Sequence, residues 1–178
     1  MSTIEQTQTG IPTGTWKADT VHSRVAFEVP YAVATFSGEV PDFEAILEDG
    51  QLTGVARIES IQVKEENLQA HLLSPEFFDA ERNPKLRFES TEIRRDGDAV
   101  VIPGELTLKG ATTPVELRGT VAGPVTDGYG RTRVGFNLET TIDRTQFGIN
   151  WNAPLPSGGN ALADEVKLTA DLQLVQED

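Results

Sequence analysis

Residues 166–175 read VKLTADLQLV, and apolar and polar side chains alternate along almost the whole segment. Successive side chains of a β-strand point to opposite faces, so this alternation predicts a strand with one buried and one solvated face. The pattern recurs in residues 115–121 and 134–142. One-sided burial in all three segments is typical of an antiparallel sheet that curls into a barrel or stacks as a sandwich.

The rest of the chain extends this pattern to eight predicted strands, separated by turns that contain Gly and Asp. They cover residues 22–29, 35–45, 52–63, 86–94, 99–108, 112–122, 133–142 and 166–175. Pro30 is expected to end the first strand. Short helical turns are predicted at residues 65–68 and 75–78, the second with Ser74 as its N-cap. We predict a flexible lead over residues 1–14 and a single domain over residues 15–178.

Small residues occur among the larger ones at predicted inward positions. Eight strands make a barrel interior about wide enough for packed side chains or for one slender ligand. The small residues therefore indicate either a cavity for a long apolar guest or the taper of a fully packed barrel. They are Gly54, Ala56, Gly104, Gly119 and Ala170.

Composition excludes several classes of partner and chemistry. The net charge is −13 and Lys and Arg form no cluster, which argues against nucleic acid and against tight binding to anionic membranes. No segment approaches the ~20 apolar residues that span a bilayer, so we expect no stable membrane insertion. The chain has no cysteine, which excludes disulfides, thiolate catalysis and Cys-ligated zinc.

The first 14 residues lack both a basic segment and an apolar stretch, so they do not resemble a signal peptide. A cytoplasmic location is therefore expected, although a chain whose leader had been removed would look the same.

The sequence gives little support for catalysis. The two histidines, His22 and His71, lie far apart and show no metal-ligand spacing. No nucleophile elbow, P-loop or dinucleotide fingerprint occurs. We therefore predict a protein that is not an enzyme and that uses no metal or other cofactor. Two alternatives stay open: an enzyme that uses His71 and carboxylates on a small apolar substrate, and a packed barrel that serves as an interaction module.

Two sets of residues near turns are candidates for the end of a cavity. Phe77 and Phe78 are adjacent aromatics that would form either a plug at a barrel end or a lid over a pocket. Arg82, Lys109 and Arg144 would be placed to meet an anionic headgroup, and the planar fork of Arg suits phosphate. Surface ion pairs are the alternative role for these cations.

Five blocks of sequence carry a resemblance to a known family. In order and spacing over about residues 15–176, they resemble the YceI-like family, lipocalin-like proteins that bind polyisoprenoid lipids. The blocks are DTVHSRVAFEV (19–29), FSGEVPDFEA (36–45), AHLLSPEFFDAERNPKLRFEST (70–91), GELTLKGATTPVEL (104–117) and TIDRTQFGI (141–149).

The resemblance implies an all-β fold, an eight-stranded antiparallel lipocalin-like barrel with short helical turns and an elongated apolar cavity. It also implies a bound isoprenoid lipid, either a polyprenyl phosphate or diphosphate or an isoprenoid quinone, held for transport, storage or sequestration. It implies no catalysis, and the lipid would be a ligand rather than a cofactor. Monomer and homodimer both stay open.

The apolar strand face is predicted to line the cavity through Val25, Phe27, Phe36, Phe88, Leu106, Leu117, Phe136, Leu138, Leu168, Ala170 and Leu172. Candidates for its mouth or for a headgroup site are His71, Phe77, Phe78, Arg82, Lys109 and Arg144.

Overall fold

The computed structural model describes residues 11–177, which form eleven strands of one antiparallel sheet and one short α-helix. Helix α1 (Glu66–Leu73) lies between the fifth and sixth strands, and 3₁₀ turns cover Ile58–Ser60 and Arg144–Phe147. The strands are β1 (Thr15–Ala18), β2 (Arg24–Tyr31), β3 (Ala34–Glu39), β4 (Phe43–Glu48), β5 (Gln51–Arg57), β6 (Lys85–Ser90), β7 (Arg94–Asp96), β8 (Ala99–Leu108), β9 (Ala111–Thr126), β10 (Thr132–Asp143) and β11 (Glu165–Gln176).

Eight of these strands close a barrel in the order β1, β4, β5, β6, β8, β9, β10 and β11, and β11 pairs with β1 to complete the ring. The predicted eight-stranded antiparallel barrel is therefore confirmed. The β2–β3 hairpin is not part of this ring; it extends the wall where β2 pairs with the first half of β11, while β7 pairs only with β8. Closure leaves few unpaired sheet edges on these long strands.

The alternation of apolar side chains determines which face turns inward. In the β10–β11 pair, Phe136 lies opposite Leu172 and Leu138 lies opposite Ala170, all on the inner face. Their neighbours Asn137, Glu139 and Asp171 are exposed. The alternating residues of the sequence thus lie in turn on the inside and the outside of the barrel wall.

One end of the barrel, which we name the packed end, is filled by side chains. Trp16, Ile102 and Leu174 are each 0% exposed there, and Phe136 and Val134 pack in the same core. Ile11 is also 0% exposed and belongs to this core. The predicted flexible lead lies mostly outside the described residues; in its last part, Ile11 and Pro12 are buried.

Two predicted strands are shorter in the structure than in the sequence interpretation. Residues 35–45 divide into β3 and β4 around Pro41, which has no N–H for a ladder hydrogen bond. The strand predicted over residues 52–63 ends at Arg57, where the 3₁₀ turn begins.

The predicted end of one strand and the predicted start of one helix were also wrong. Pro30 does not end its strand: it pairs with Thr35, and its carbonyl accepts a hydrogen bond from the Ala163 N–H at 3.0 Å. Ser74 ends α1 rather than starting a helix, and its hydroxyl donates to the His71 carbonyl at 2.6 Å.

An ion-pair cluster holds the packed end from outside. The Arg133 guanidinium donates to Asp127 at 2.8 Å, to Asp19 at 2.9 Å and to the Gln173 side chain at 2.6 Å. The hydrogen bond from Arg133 lowers the pKa of Asp127 to about 2. Hydrogen bonds from His22 and then Arg133 hold the pKa of Asp19 well below its usual range.

This cluster predicts a loss of stability in acid. A carboxylate with a depressed folded pKa stabilises fully above its unfolded pKa of about 3.9, and that contribution disappears as pH falls towards the folded pKa. Asp127→Asn should therefore lower the free energy of unfolding at pH 7. The difference from the wild type should shrink as pH falls from about 4 to about 2. Urea unfolding at several pH values measures this, with Glu105→Gln, an exposed carboxylate on β8, as the control. A difference that stays constant with pH would contradict the assignment.

Candidate ligand-binding cavity

An apolar cavity of about 170 Å³ occupies the half of the barrel away from the packed end. It lies between the inner faces of β4–β6 and β8–β11 and the β2–β3 hairpin. Its lining is almost wholly apolar; among the described residues, charged side chains at it are Glu44, exposed at its edge, and Arg144. Such a lining suits a hydrocarbon guest and offers little to a polar one.

All of the predicted lining residues except Phe136 contact this cavity. Phe136 is 2% exposed and belongs to the packed end, because it lies one inward position before Leu138, nearer the start of β10. One half of the barrel is therefore packed with side chains, and the other contains space.

The small inward residues divide in the same way. Gly54, Ala56 and Ala170 line the cavity, and a Cβ built on Gly54 would have no neighbour nearer than 3.8 Å. A Cβ on Gly104 would lie 2.6 Å from the Phe88 ring, and one on Gly119 would overlap the Asn137 carbonyl. Glycine at those two positions permits close approach of strands rather than open space.

The end of the cavity opposite the packed end is covered by three segments that we name the cap. They are α1, the turn at residues 75–78 and the excursion at residues 148–164. The cap side chains that line the cavity are Leu72, Phe77, Phe78, Ile149 and Leu162. Phe77 is 5% exposed, so it forms part of the cap core.

His71 lies within an aromatic cluster of the cap. Its ring packs edge-on against Phe77 at 4.8 Å and against Trp151 at 4.7 Å between centroids. Its Nε2 lies 3.0 Å from the Glu76 carboxylate. These contacts place His71 in the packing of the cap, and it is not among the residues that line the cavity.

Arg144 holds the excursion to the barrel. Its side chain is buried, and it donates at 2.8 Å to each of the carbonyls of Ala163, Ile149 and Trp151, with a longer bond to Leu162. Burial lowers the pKa of this guanidinium, and the charges of Asp164 and Asp143 oppose the shift. These carbonyls use most of the Arg144 donors, so the side chain has little hydrogen-bonding capacity left for the predicted contact with a headgroup.

The two other predicted cations differ in position. Lys109 Nζ donates to the Pro75 carbonyl at 2.9 Å and to the Gly148 carbonyl at 3.3 Å. It therefore ties the β8–β9 turn to two segments of the cap. Arg82 is exposed on the surface beyond the cap turn and does not line the cavity.

Sequence patterns did not identify the excursion as a wall of the cavity. Ile149 and Leu162 line it, and Trp151 joins the cap cluster. These apolar residues follow no strand or helix period, and the available signal was only that large apolar side chains occur in a long loop.

Among residues 11–177, no group of three or more His, Cys, Asp or Glu side chains is arranged to hold a metal ion. No helix in the same range is long and apolar enough to cross a membrane.

A closed antiparallel barrel with a capped apolar cavity defines a lipocalin-like class of protein. The family model described as a YceI-like domain matches residues 16–174, so the chain belongs to the YceI-like family. A UPF0312 protein of Staphylococcus epidermidis is 31% identical over 168 residues, which cover 87% of this chain and 94% of that protein. A UPF0312 protein of Pectobacterium atrosepticum is 39% identical over 90 residues, 51% of this chain and 47% of that one.

Solved structures share the fold at lower identity. BcnA of Burkholderia cenocepacia matches with a TM-score of 0.76 and 20% identity, over 88% of this chain and 98% of that one. A polyisoprenoid binding domain from Saccharophagus degradans, implicated in plant cell wall breakdown, matches with a TM-score of 0.69 and 11% identity. That match covers 91% of this chain and 98% of that domain. These likenesses establish the barrel.

Proposed function

We propose that this protein binds a long-chain isoprenoid lipid in the barrel, for transport, storage or sequestration. The observation that carries the proposal is the apolar cavity, whose lining offers hydrocarbon contact and almost no polar partner. Burial of the guest would contribute about 25 cal/mol per Å² of apolar surface, before the entropy of binding is subtracted. The structural likeness to a polyisoprenoid binding domain supports the same ligand class.

The size of the cavity limits how a guest would fit. Its 170 Å³ is below the roughly 300–1,000 Å³ of pockets for drug-sized ligands. A long chain therefore requires side chains to move, and the half-buried lining residues Phe36 and Phe78 are the candidates to do so. The tail would lie along the barrel, and its polar head would remain towards the cap or outside.

The proposal includes the absence of catalysis and a cytoplasmic location. The histidine that an enzyme would use, His71, is held among aromatic rings and away from the cavity lining. A lipid incubated with the protein should accordingly be recovered chemically unchanged. Chemical turnover that disappears in His71→Ala would contradict this part of the proposal.

Native mass spectrometry of the purified protein, followed by solvent extraction, tests the ligand class directly. We expect an added mass that is released into the organic phase and that contains a polyprenyl phosphate, a polyprenyl diphosphate or an isoprenoid quinone. Bound polar metabolites with no lipid, or failure to take up any added isoprenoid, would contradict the proposal.

Ala170→Phe is expected to weaken isoprenoid binding by at least about tenfold, because the added ring occupies part of the cavity. The barrel should remain folded, since overpacking typically costs about 1–3 kcal/mol. Affinity is measured by titration with a soluble isoprenoid analogue.

The matched control for this variant is Ala122→Phe, which places the same ring on the exposed face of β9. It should bind the analogue as the wild type does. Unchanged affinity in Ala170→Phe would show that the guest does not pass Ala170.

A further inference from the structure

The hairpin between β2 and β3 carries exposed apolar side chains at its tip. Val33 is fully exposed and Tyr31 is 42% exposed. The tip is anchored, because the Ala32 N–H donates to the Ala161 carbonyl at 2.8 Å and Tyr31 is bridged to Leu162. Val33 is therefore held outward by a fixed turn.

A second loop extends the same surface. The Ala161 N–H bonds to the Ala153 carbonyl at 2.8 Å, and Pro154 is bridged to Asn160. Residues 31–33, 160–162 and 153–155 thus lie side by side. We name the surface formed by Tyr31, Val33, Pro154, Leu155 and Pro156 the apolar tip; its two prolines are exposed and its leucine is half-buried.

The charge pattern separates this surface from the rest of the molecule. Residues 29–38 and 145–163 contain no charged side chain, in a chain of which 24% is charged. Exposed apolar residues also occur at the opposite barrel end, where Val125 is 62% and Tyr129 is 93% exposed. There, however, Asp127, Arg131 and Arg133 stand among them. Large exposed apolar groups without charges around them are typical of contact with an apolar partner.

The tip is continuous with the cavity. Val29, two residues before Tyr31, lines the cavity, as does Leu162, the bridge partner of Tyr31. Phe36, three residues after Val33, lines it as well. A surface that touched the tip would therefore lie close to residues that line the cavity.

We infer that the apolar tip inserts into the surface of a lipid bilayer of zwitterionic headgroups. Tyr has an apolar body and a polar end, which suit the boundary between water and hydrocarbon. The net charge of −13 disfavours an anionic surface, so the contact is apolar rather than electrostatic. A second copy of the chain fits less well, because five side chains are far fewer than the ~20–30 residues that each partner contributes to a stable interface.

Co-sedimentation with phosphatidylcholine vesicles tests the inference. The wild type should bind weakly and reversibly, with a partition coefficient that changes little between low and high salt. Val33→Asp should lower that coefficient at least about tenfold, because a charged carboxylate replaces an inserted isopropyl group. The matched control Val125→Asp, at the charged end, should change it less than about twofold. Both sites are exposed, so both variants should keep the wild-type melting temperature.

The inference goes beyond the proposed function, and the two fail separately. Ala170→Phe should lose isoprenoid uptake yet keep vesicle binding, whereas Val33→Asp should lose vesicle binding yet keep uptake of a soluble analogue. No binding of the wild type to phosphatidylcholine would overturn the inference, as would equal effects of Val33→Asp and Val125→Asp. A wild-type dimer in solution that Val33→Asp dissociates would assign the tip to a second copy instead.

Discussion

Gly119→Ala is expected to destabilise the barrel by about 3 kcal/mol, at the upper end of the usual range for overpacking. A Cβ at this position would overlap the Asn137 carbonyl and lie 3.1 Å from the Leu138 Cα. Both obstacles are backbone atoms of the neighbouring strand β10, so no flexible side chain can move aside to make room. The strand pair itself would have to separate.

The melting temperature should fall by about 6–12 °C, given about 2–4 °C per kcal/mol for a domain of this size. Gly135→Ala is the matched control, because it lies on β10 and its Cβ would have nothing within 4 Å. We expect that variant to melt within about 2 °C of the wild type. Equal melting temperatures for the two variants would show that β9 and β10 can adjust without loss.

Gly119 and Ala170 show which features of the barrel wall the sequence could predict and which it could not. Both were predicted to face inward, and the period of two places both on the inner face of the wall. The period gives the direction of a side chain but not the distance to the next strand, which depends on the twist of the closed barrel. The structure is needed to distinguish a glycine that lets two strands approach closely from a small residue that leaves space.

The same limit explains the position of Phe136. Its strand was predicted within one residue at each end, and its inward direction followed from alternation. Whether an inward residue lies in the packed half or beside the cavity depends on its height in the barrel. That height is set by the stagger between strands, and no local pattern in the sequence reports it.

The cap was the least predictable part. Helix α1 was foreseen only as a turn at residues 65–68, and residues 143–164 only as the long segment between the last two predicted strands. The structure of the cap depends on contacts between residues that are distant in sequence, such as Arg144 with Leu162 and Lys109 with Pro75. Irregular backbone bound by side chains has no periodicity, so composition alone could not place it.

Arg144→Met is expected to lower the free energy of opening the cap by about 3–5 kcal/mol, because four backbone carbonyls lose a charged donor inside the cap. Methionine fills a similar volume, so the loss reflects hydrogen bonding more than packing. Amide hydrogen exchange should accelerate across residues 149–163, while β8 and β9 stay protected. Exchange that speeds up equally across the barrel would contradict a role confined to the cap.

Two further variants separate the fork of donors from the charge. Arg144→Lys keeps the positive charge but lacks the planar fork, and it should recover less than half of the lost stability. Arg24→Met removes an arginine whose ion pair with Glu39 is exposed, and it should cost no more than about 1 kcal/mol. If Arg144→Lys restored full stability, the cap would depend on charge near Asp164. If Arg144→Lys does not restore stability, the bonds to Ala163, Ile149 and Trp151 hold the cap over the cavity. Isoprenoid should then dissociate faster from Arg144→Met than from the wild type, even though the lining of the barrel wall is unchanged.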